Sequence, residues 1–224
     1  MAAVAALIGD PARANILTAL LDGRALTAKE LAFAARVSPQ TTSGHLTKLT
    51  GAGLLALEKQ GRHRYFRLAS PLVGQMMEAV MAFAGPDEQP RSTWRGGEAL
   101  RTARTCYDHI AGRLGVALAD VLTERGHVAL TSDGGEVTPS GHAFLHEFGA
   151  EPVPGKRVFC RPCLDWSERR PHIAGRLGVA LACRCFELGW IARQRDTRAL
   201  AITAAGQDGF AARFGLNVAE FGRA

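Results

Sequence analysis

The sequence predicts an α+β chain, mainly helical with small β-hairpins, divided into two domains. Three observations carry this. Helix start and stop signals recur at short intervals through the first 84 residues, which include a basic hairpin ahead of the last helix. A stretch rich in proline and glycine, Gly85 to Gly97, then interrupts the apolar pattern. Beyond it, the eleven residues from His109 to Ala119 recur identically from His172 to Ala182. The expected organisation is a first domain over 1–84, a linker over 85–97 and a second domain over 98–224. The second holds a duplication, with copies at about 106–148 and 169–214.

The first domain is read from its punctuation. Asp10-Pro11 supplies an N-cap followed by proline at the first helical position, opening a helix through Leu21. Thr27-x-x-Glu30 is a capping box for a short helix to about Ala35. Ser38 caps a third helix that starts at Pro39 and runs to about Ala52. On this helix Leu46 and Leu49 are spaced to face inward. Ser38, Gln40, Thr41, Thr42, Ser43, His45 and Lys48 form its polar side. Short hydroxyls and amides at a helix N-terminus suit base edges and phosphates of a DNA major groove.

Two alternating strands follow, Leu54 to Leu68, about a turn expected at Lys59-Gln60-Gly61. Arg62, His63 and Arg64 crowd this wing, where cations favour the phosphate backbone or the minor groove. Over residues 1–84, nine Lys/Arg against five Asp/Glu leave +4 of the formal +6 of the whole chain. A pI near 9.4 agrees with a polyanionic partner, here double-stranded operator DNA.

In combination, Gly9-Asp-Pro-Ala-Arg13, Leu26-Thr-Ala-Lys-Glu-Leu31, Val37 to Leu46 and Gly61 to Leu68 resemble the ArsR/SmtB family of bacterial repressors. The resemblance spans residues 3–84. It implies a winged helix-turn-helix and a homodimer formed by the first and last helices of that region. Those helices are Ala3–Ile8 and Pro71–Ala84, the latter with Leu72, Met76, Val80 and Phe83 at helical spacing. It also implies repression relieved by an effector. Metal sensors of the family use cysteines before the recognition helix, or His/Asp/Glu on the last helix. The sequence departs from both patterns: Glu30 to Ala35 holds no cysteine, and Pro71–Ala84 holds Glu78 but no His or Cys, so neither usual metal site is expected.

The second domain is expected to consist of two winged-helix-like units, each reading helix, strand, turn, strand, helix. All five cysteines lie there. Cys106, Asp108 and His109 form one group, and Cys160, Cys163 and Asp165 another, with Trp166 and His172 following. These types suit a thiophilic metal or metalloid ion, or thiol redox chemistry. Two alternatives stay open: a small organic ligand near Trp166, and a dithiol oxidoreductase using Cys160 and Cys163. Cys183 and Cys185 read as small buried apolar groups in a helix. No nucleotide-binding, hydrolase or zinc-protease motif occurs, so no enzyme is expected. A composition of 47% hydrophobic and 21% charged residues is that of an ordinary globular protein. Without a membrane span or a basic leader, a cytoplasmic protein with reduced cysteines is expected.

Overall fold

The computed structural model describes residues 1–21, 23–61, 63–84, 97–131, 134–195 and 197–221. Among the expectations above, Arg62 and all of the 85–97 linker except Gly97 lie outside them. The chain forms two compact units, Met1–Arg95 and Gly96–Gln194 with Arg198–Ala224.

In the first unit α1 (Ala2–Ile8) and α2 (Pro11–Ala19) precede β1 (Leu26–Thr27) and α3 (Ala28–Ala35). Then come α4 (Pro39–Gly51), the hairpin β2 (Leu55–Gln60) and β3 (His63–Leu68), and α5 (Pro71–Ala84). The caps act as their residue types dictate. Asp10 Oδ1 accepts from Arg13 N at 2.9 Å. Thr27 and Glu30 satisfy each other's backbone donors as a capping box. Ser38 Oγ accepts from Thr41 N at 3.1 Å.

Two boundaries differ from expectation. Helix α2 closes at Ala19, because the N–H groups of Leu20 and Leu21 turn back three residues, to Leu17 and Thr18. The wing turn lies between the paired Gln60 and His63, so Lys59 stays in the ladder opposite Arg64. Gly61, at φ +58°, takes the left-handed conformation this tight turn requires. The sheet order is β1-β3-β2. Ile16, Leu17, Leu31, Leu46, Leu49 and Phe66 form the core beneath it.

The second unit opens with α6 (Gly97–Thr102), so Gly97 belongs to a helix rather than to the linker. There follow β4 (Arg104–Cys106), β5 (His109–Ala111), α7 (Arg113–Glu124), β6 (Val128–Leu130), β7 (Gly135–Val137) and α8 (Pro139–Phe148). The same order then recurs as β8 (Arg161–Leu164), β9 (Pro171–Ala174), α9 (Gly175–Glu187), β10 (Ile191–Arg193), β11 (Leu200–Ile202) and α10 (Ala204–Phe214), before a short 3-10 turn (Val218–Glu220).

Each copy therefore begins with a hairpin that the expected helix-first order lacked. His109, Ile110 and Ala111 are strand residues, and so are His172, Ile173 and Ala174. The hairpins are too short to show a period of two. Their apolar residues run directly into the helix, so periodicity alone cannot separate strand from helix. The two halves share one core around Leu114, Leu118, Leu177, Leu181, Phe210 and Phe214.

The duplicated glycines set how closely the copies approach. A Cβ on Gly115 would lie 2.4 Å from Ile110 O and 3.5 Å from His172 Cβ. On Gly178 it would lie 2.4 Å from Ile173 O and 3.0 Å from His109 Cβ. Each helix thus fits tightly against its own hairpin and reaches the histidine of the other copy.

Candidate DNA interface and buried Cys/His cluster

Helix α4 presents Gln40, Thr41, Ser43 and Lys48 to solvent, and buries Leu46 and Leu49 against the first unit's core. The Ser38 hydroxyl is occupied by its capping role and lies 2.9 Å from Thr41 Oγ1. Ser43 Oγ donates to Pro39 O at 3.0 Å, which leaves its lone pairs outward. His45 is half-buried, with Nδ1 3.5 Å from Arg13 Nη1.

Thr42 corrects the sequence reading. It is fully buried and its hydroxyl donates to Ser38 O at 2.9 Å, so it belongs to the inner face and cannot reach a base. Exposed Thr47, one turn beyond Ser43 and on the same side, extends the polar face of the helix. That i, i+4 relation was the available signal. On the wing Lys59 and Arg64 are exposed, whereas Arg67 is engaged across the strands by Glu58. The His63 backbone opens β3, but its side chain lies outside the described part.

The second site arises where the two copies meet. Cys106 on β4 is paired in register with His109 on β5, and Cys163 on β8 with His172 on β9. Cross-strand partners project on one face of a hairpin. Each hairpin thus offers one thiol and one imidazole. The donor atoms of Cys106, His109, Cys163 and His172 all lie within 4.8 Å of one another. The two Sγ atoms are 4.0 Å apart and the two Nε2 atoms 3.1 Å apart. Cys106, His109 and His172 are buried, and Cys163 is half-buried.

Carboxylates stand behind both imidazoles. Asp108 Oδ1 is 3.2 Å from His109 Nδ1. Asp165 Oδ2 is 3.4 Å from His172 Nδ1, an ion-pair distance without hydrogen-bond alignment. Asp165 is itself fully buried. Its Oδ2 accepts from Arg104 Nη2 at 2.9 Å and from Gly112 N at 2.7 Å, and its Oδ1 accepts from Ser167 N and Oγ. Burial alone would raise this carboxyl's pKa. The charge of Arg104, then that of His172, and the Gly112 N–H outweigh it and hold the carboxyl well below the usual range. Asp108 follows the same balance: burial raises it, while Arg157 and His109 bring it below its ordinary value.

Three expected members of the site have other places. Cys160 is buried in the shared core, bridged to Gly135, and is not in the cluster; burial pushes its thiol up to about 11. Cys160 thus lies in the core while Cys163 joins the cluster, so the two cysteines do not belong to one group of candidate ligands. Trp166 is buried with the Arg104 guanidinium 4.7 Å from its ring centroid, so it is a packing partner rather than an open ligand wall. Asp165 is saturated by donors and supports His172 instead of offering itself as a ligand.

Sequence reasoning missed Arg104 and Arg157. Each pairs with a carboxylate on another element of the unit, and nothing local to either arginine announces that partner. Cys183 also departs from expectation. It is exposed on α9, whereas Cys185 is buried and its thiol is pushed up to about 12 by desolvation. Alkylation at neutral pH should therefore modify Cys183 first and spare Cys160 and Cys185 in the folded protein, because only thiolates react. A time course read by peptide mass spectrometry checks this, and equal rates for Cys183 and Cys185 would contradict it.

No helix among the described residues is long and apolar enough to cross a membrane. Residues 8–58 match the helix-turn-helix domain family. Among solved structures, the homodimeric winged helix-turn-helix domain of Mb0332 from Mycobacterium bovis, a possible ArsR-family regulator, is 26% identical. It covers 37% of this chain and 76% of its own, at a TM-score of 0.35. The cadmium sensor CMTR of Mycobacterium tuberculosis is 29% identical, covers 42% of this chain and all of its own, and scores 0.33. Among curated proteins, YdfF of Bacillus subtilis (strain 168), an uncharacterized HTH-type transcriptional regulator, is 43% identical over 215 residues. That match takes in 94% of this chain and 95% of YdfF, so it runs through the Cys/His unit as well as the helix-turn-helix. A recognition helix and cationic wing, set in a likeness of this length, make the chain a member of the HTH-type transcriptional regulators.

Proposed function

We propose that the protein is a dimeric repressor of the ArsR/SmtB type. It binds double-stranded operator DNA through α4 and the β2–β3 wing, and is released by an effector sensed in the second unit. The sensing centre is the thiol pair Cys106 and Cys163, open to a thiophilic metal, a metalloid or an oxidant. The observation that supports this is the meeting of one Cys and one His from each copy at a single buried point. A group bound there joins the copies and alters how α7 and α9 pack. The chain runs from α5 into this unit, so that change can reset the spacing of the two recognition helices. A ligand that favours the DNA-incompetent state by about 3 kcal/mol weakens operator binding ~100-fold, an ordinary allosteric coupling.

The DNA half predicts two different mutational signatures. Gln40→Ala should cost about 1–3 kcal/mol at the operator and relax base preference, because an amide reading a base edge is lost. Arg64→Ala should weaken all sequences alike and lower the salt slope by about one unit. Titrations at several salt concentrations separate them, and an unchanged slope for Arg64→Ala would remove its phosphate role.

The effector half is tested by an operator-driven reporter in cells. The Cys106→Ser/Cys163→Ser double variant is expected to repress normally and fail to respond to the natural signal. Full induction in that variant would remove the thiols from sensing and leave an organic effector in their place.

A further inference from the structure

We infer that Cys106, His109, Cys163 and His172 form a closed four-coordinate site for a zinc-class divalent ion, bound through two thiolates and the Nε2 atoms of both histidines. This rests on the reading of the second unit as the effector domain only for its regulatory consequence; the site itself stands on geometry, tautomers and charge.

Geometry comes first. Zinc–thiolate bonds of about 2.3 Å and zinc–imidazole bonds of about 2.0–2.1 Å, arranged tetrahedrally, place two sulfurs roughly 3.8 Å apart and two nitrogens roughly 3.3–3.4 Å apart. The structure has 4.0 Å and 3.1 Å. The longest donor separation, up to 4.8 Å, closes by about 1 Å on loading, since a tetrahedral N–S edge is roughly 3.6 Å. A pyramidal three-thiolate metalloid site lacks its third sulfur, because Cys160 lies outside the group.

The tautomers point the same way. Asp108 hydrogen-bonds the His109 Nδ1, the arrangement that fixes a ligating imidazole with its proton on Nδ1, while Asp165 stands 3.4 Å from the His172 Nδ1 as a nearby charge. The two Nε2 atoms lie 3.1 Å apart in a buried place, a hydrogen-bond distance that one shared proton can bridge. A divalent ion bound by both Nε2 atoms takes the place of that proton.

Charge selects the class of ion. A divalent ion with two thiolates and two neutral imidazoles is electrically neutral. The neighbouring Arg104–Asp165 and Arg157–Asp108 pairs are neutral as well. A monovalent ion would leave a buried net −1 and a trivalent ion a net +1, each of which burial penalises. On binding, the two thiols lose their protons to solvent and both sulfur–metal bonds form, with no change of oxidation state. All four positions are filled by protein, so the ion clamps the two copies together and keeps no open position for substrate.

The test is cobalt(II) titration of the reduced, chelator-stripped full chain, followed by absorption spectroscopy. One ion per chain is expected, with the intense visible bands of tetrahedral cobalt and a thiolate-to-cobalt charge-transfer band, both erased by zinc. His172→Ala should lose the tetrahedral spectrum. Asp108→Asn, a positioning change on a partly exposed carboxylate, should keep the spectrum and weaken binding roughly 10–100-fold. A weak octahedral spectrum in the wild-type chain, or a His172→Ala spectrum identical to wild type, would overturn the site. Tetrahedral binding with unchanged operator affinity would leave the site standing and remove the effector reading. Operator release by arsenite or peroxide that needs both thiols but neither histidine would do the reverse.

Discussion

Replacing Asp165 with alanine is expected to destabilise the second unit by about 3–5 kcal/mol, because it strands a buried guanidinium. The Arg104 and Asp165 side chains are 1% and 0% exposed, at an Nη2–Oδ2 distance of 2.9 Å. The same carboxylate also receives the N–H groups of Gly112, Ser167 and Glu168. It thereby holds the turn from β5 into α7 to the loop between β8 and β9. Urea denaturation followed by tryptophan fluorescence measures the loss. An Arg104→Leu/Asp165→Leu double variant should recover part of it, since no unpaired charge remains. Recovery should stay incomplete, because three backbone donors still lack their acceptor. A cost below about 1 kcal/mol for Asp165→Ala would show that the pair does not organise this unit.

The second large effect concerns dimerisation. Leu72, Val80 and Phe83 on α5 are 70%, 45% and 96% exposed, an apolar stripe that the first unit does not cover with its own residues. Met76, placed on the same stripe by sequence, is instead half-buried against that unit's core, so it is the wrong residue to charge. The proposed dimer predicts that Leu72→Glu/Phe83→Glu gives a folded monomer. Operator affinity should fall about 10²–10⁴-fold, because two half-sites are no longer engaged together. Sedimentation and operator titration on one sample check both halves of this expectation. A dimer that survives the double change would place the interface elsewhere.

How legible the fold was depended on the range of each signal. Asp10, Thr27 and Ser38 act on donors two or three residues away, so the first unit's helices could be read almost to the residue. Thr42 was misplaced because facing depends on helix phase, and a hydroxyl at a buried position looks the same in sequence as one at an exposed position. In the second unit, the identity of His109–Ala119 with His172–Ala182 marked the duplication. The leading hairpins were hidden because strands of three or four residues carry no usable period.

The cluster was half legible. Each copy brings one cysteine and one histidine into the chain just ahead of its helix, and that pattern is visible when the repeats are aligned. The adjacent Cys160 and Cys163 made a nearer pair that drew attention from the cross-copy pair. Arg104 had no local signal, since the carboxylate that binds it is supplied by the other copy.

On the proposed function, occupancy of the Cys106/His109/Cys163/His172 cluster controls DNA binding. The most direct measurement is operator affinity of the full chain by fluorescence anisotropy, zinc-loaded against chelator-stripped, on a duplex that the protein itself selects from a random pool. The loaded protein is expected to bind ~100-fold more weakly, and Cys106→Ser/Cys163→Ser to bind equally well in both conditions. Equal wild-type affinities with and without the ion would contradict it.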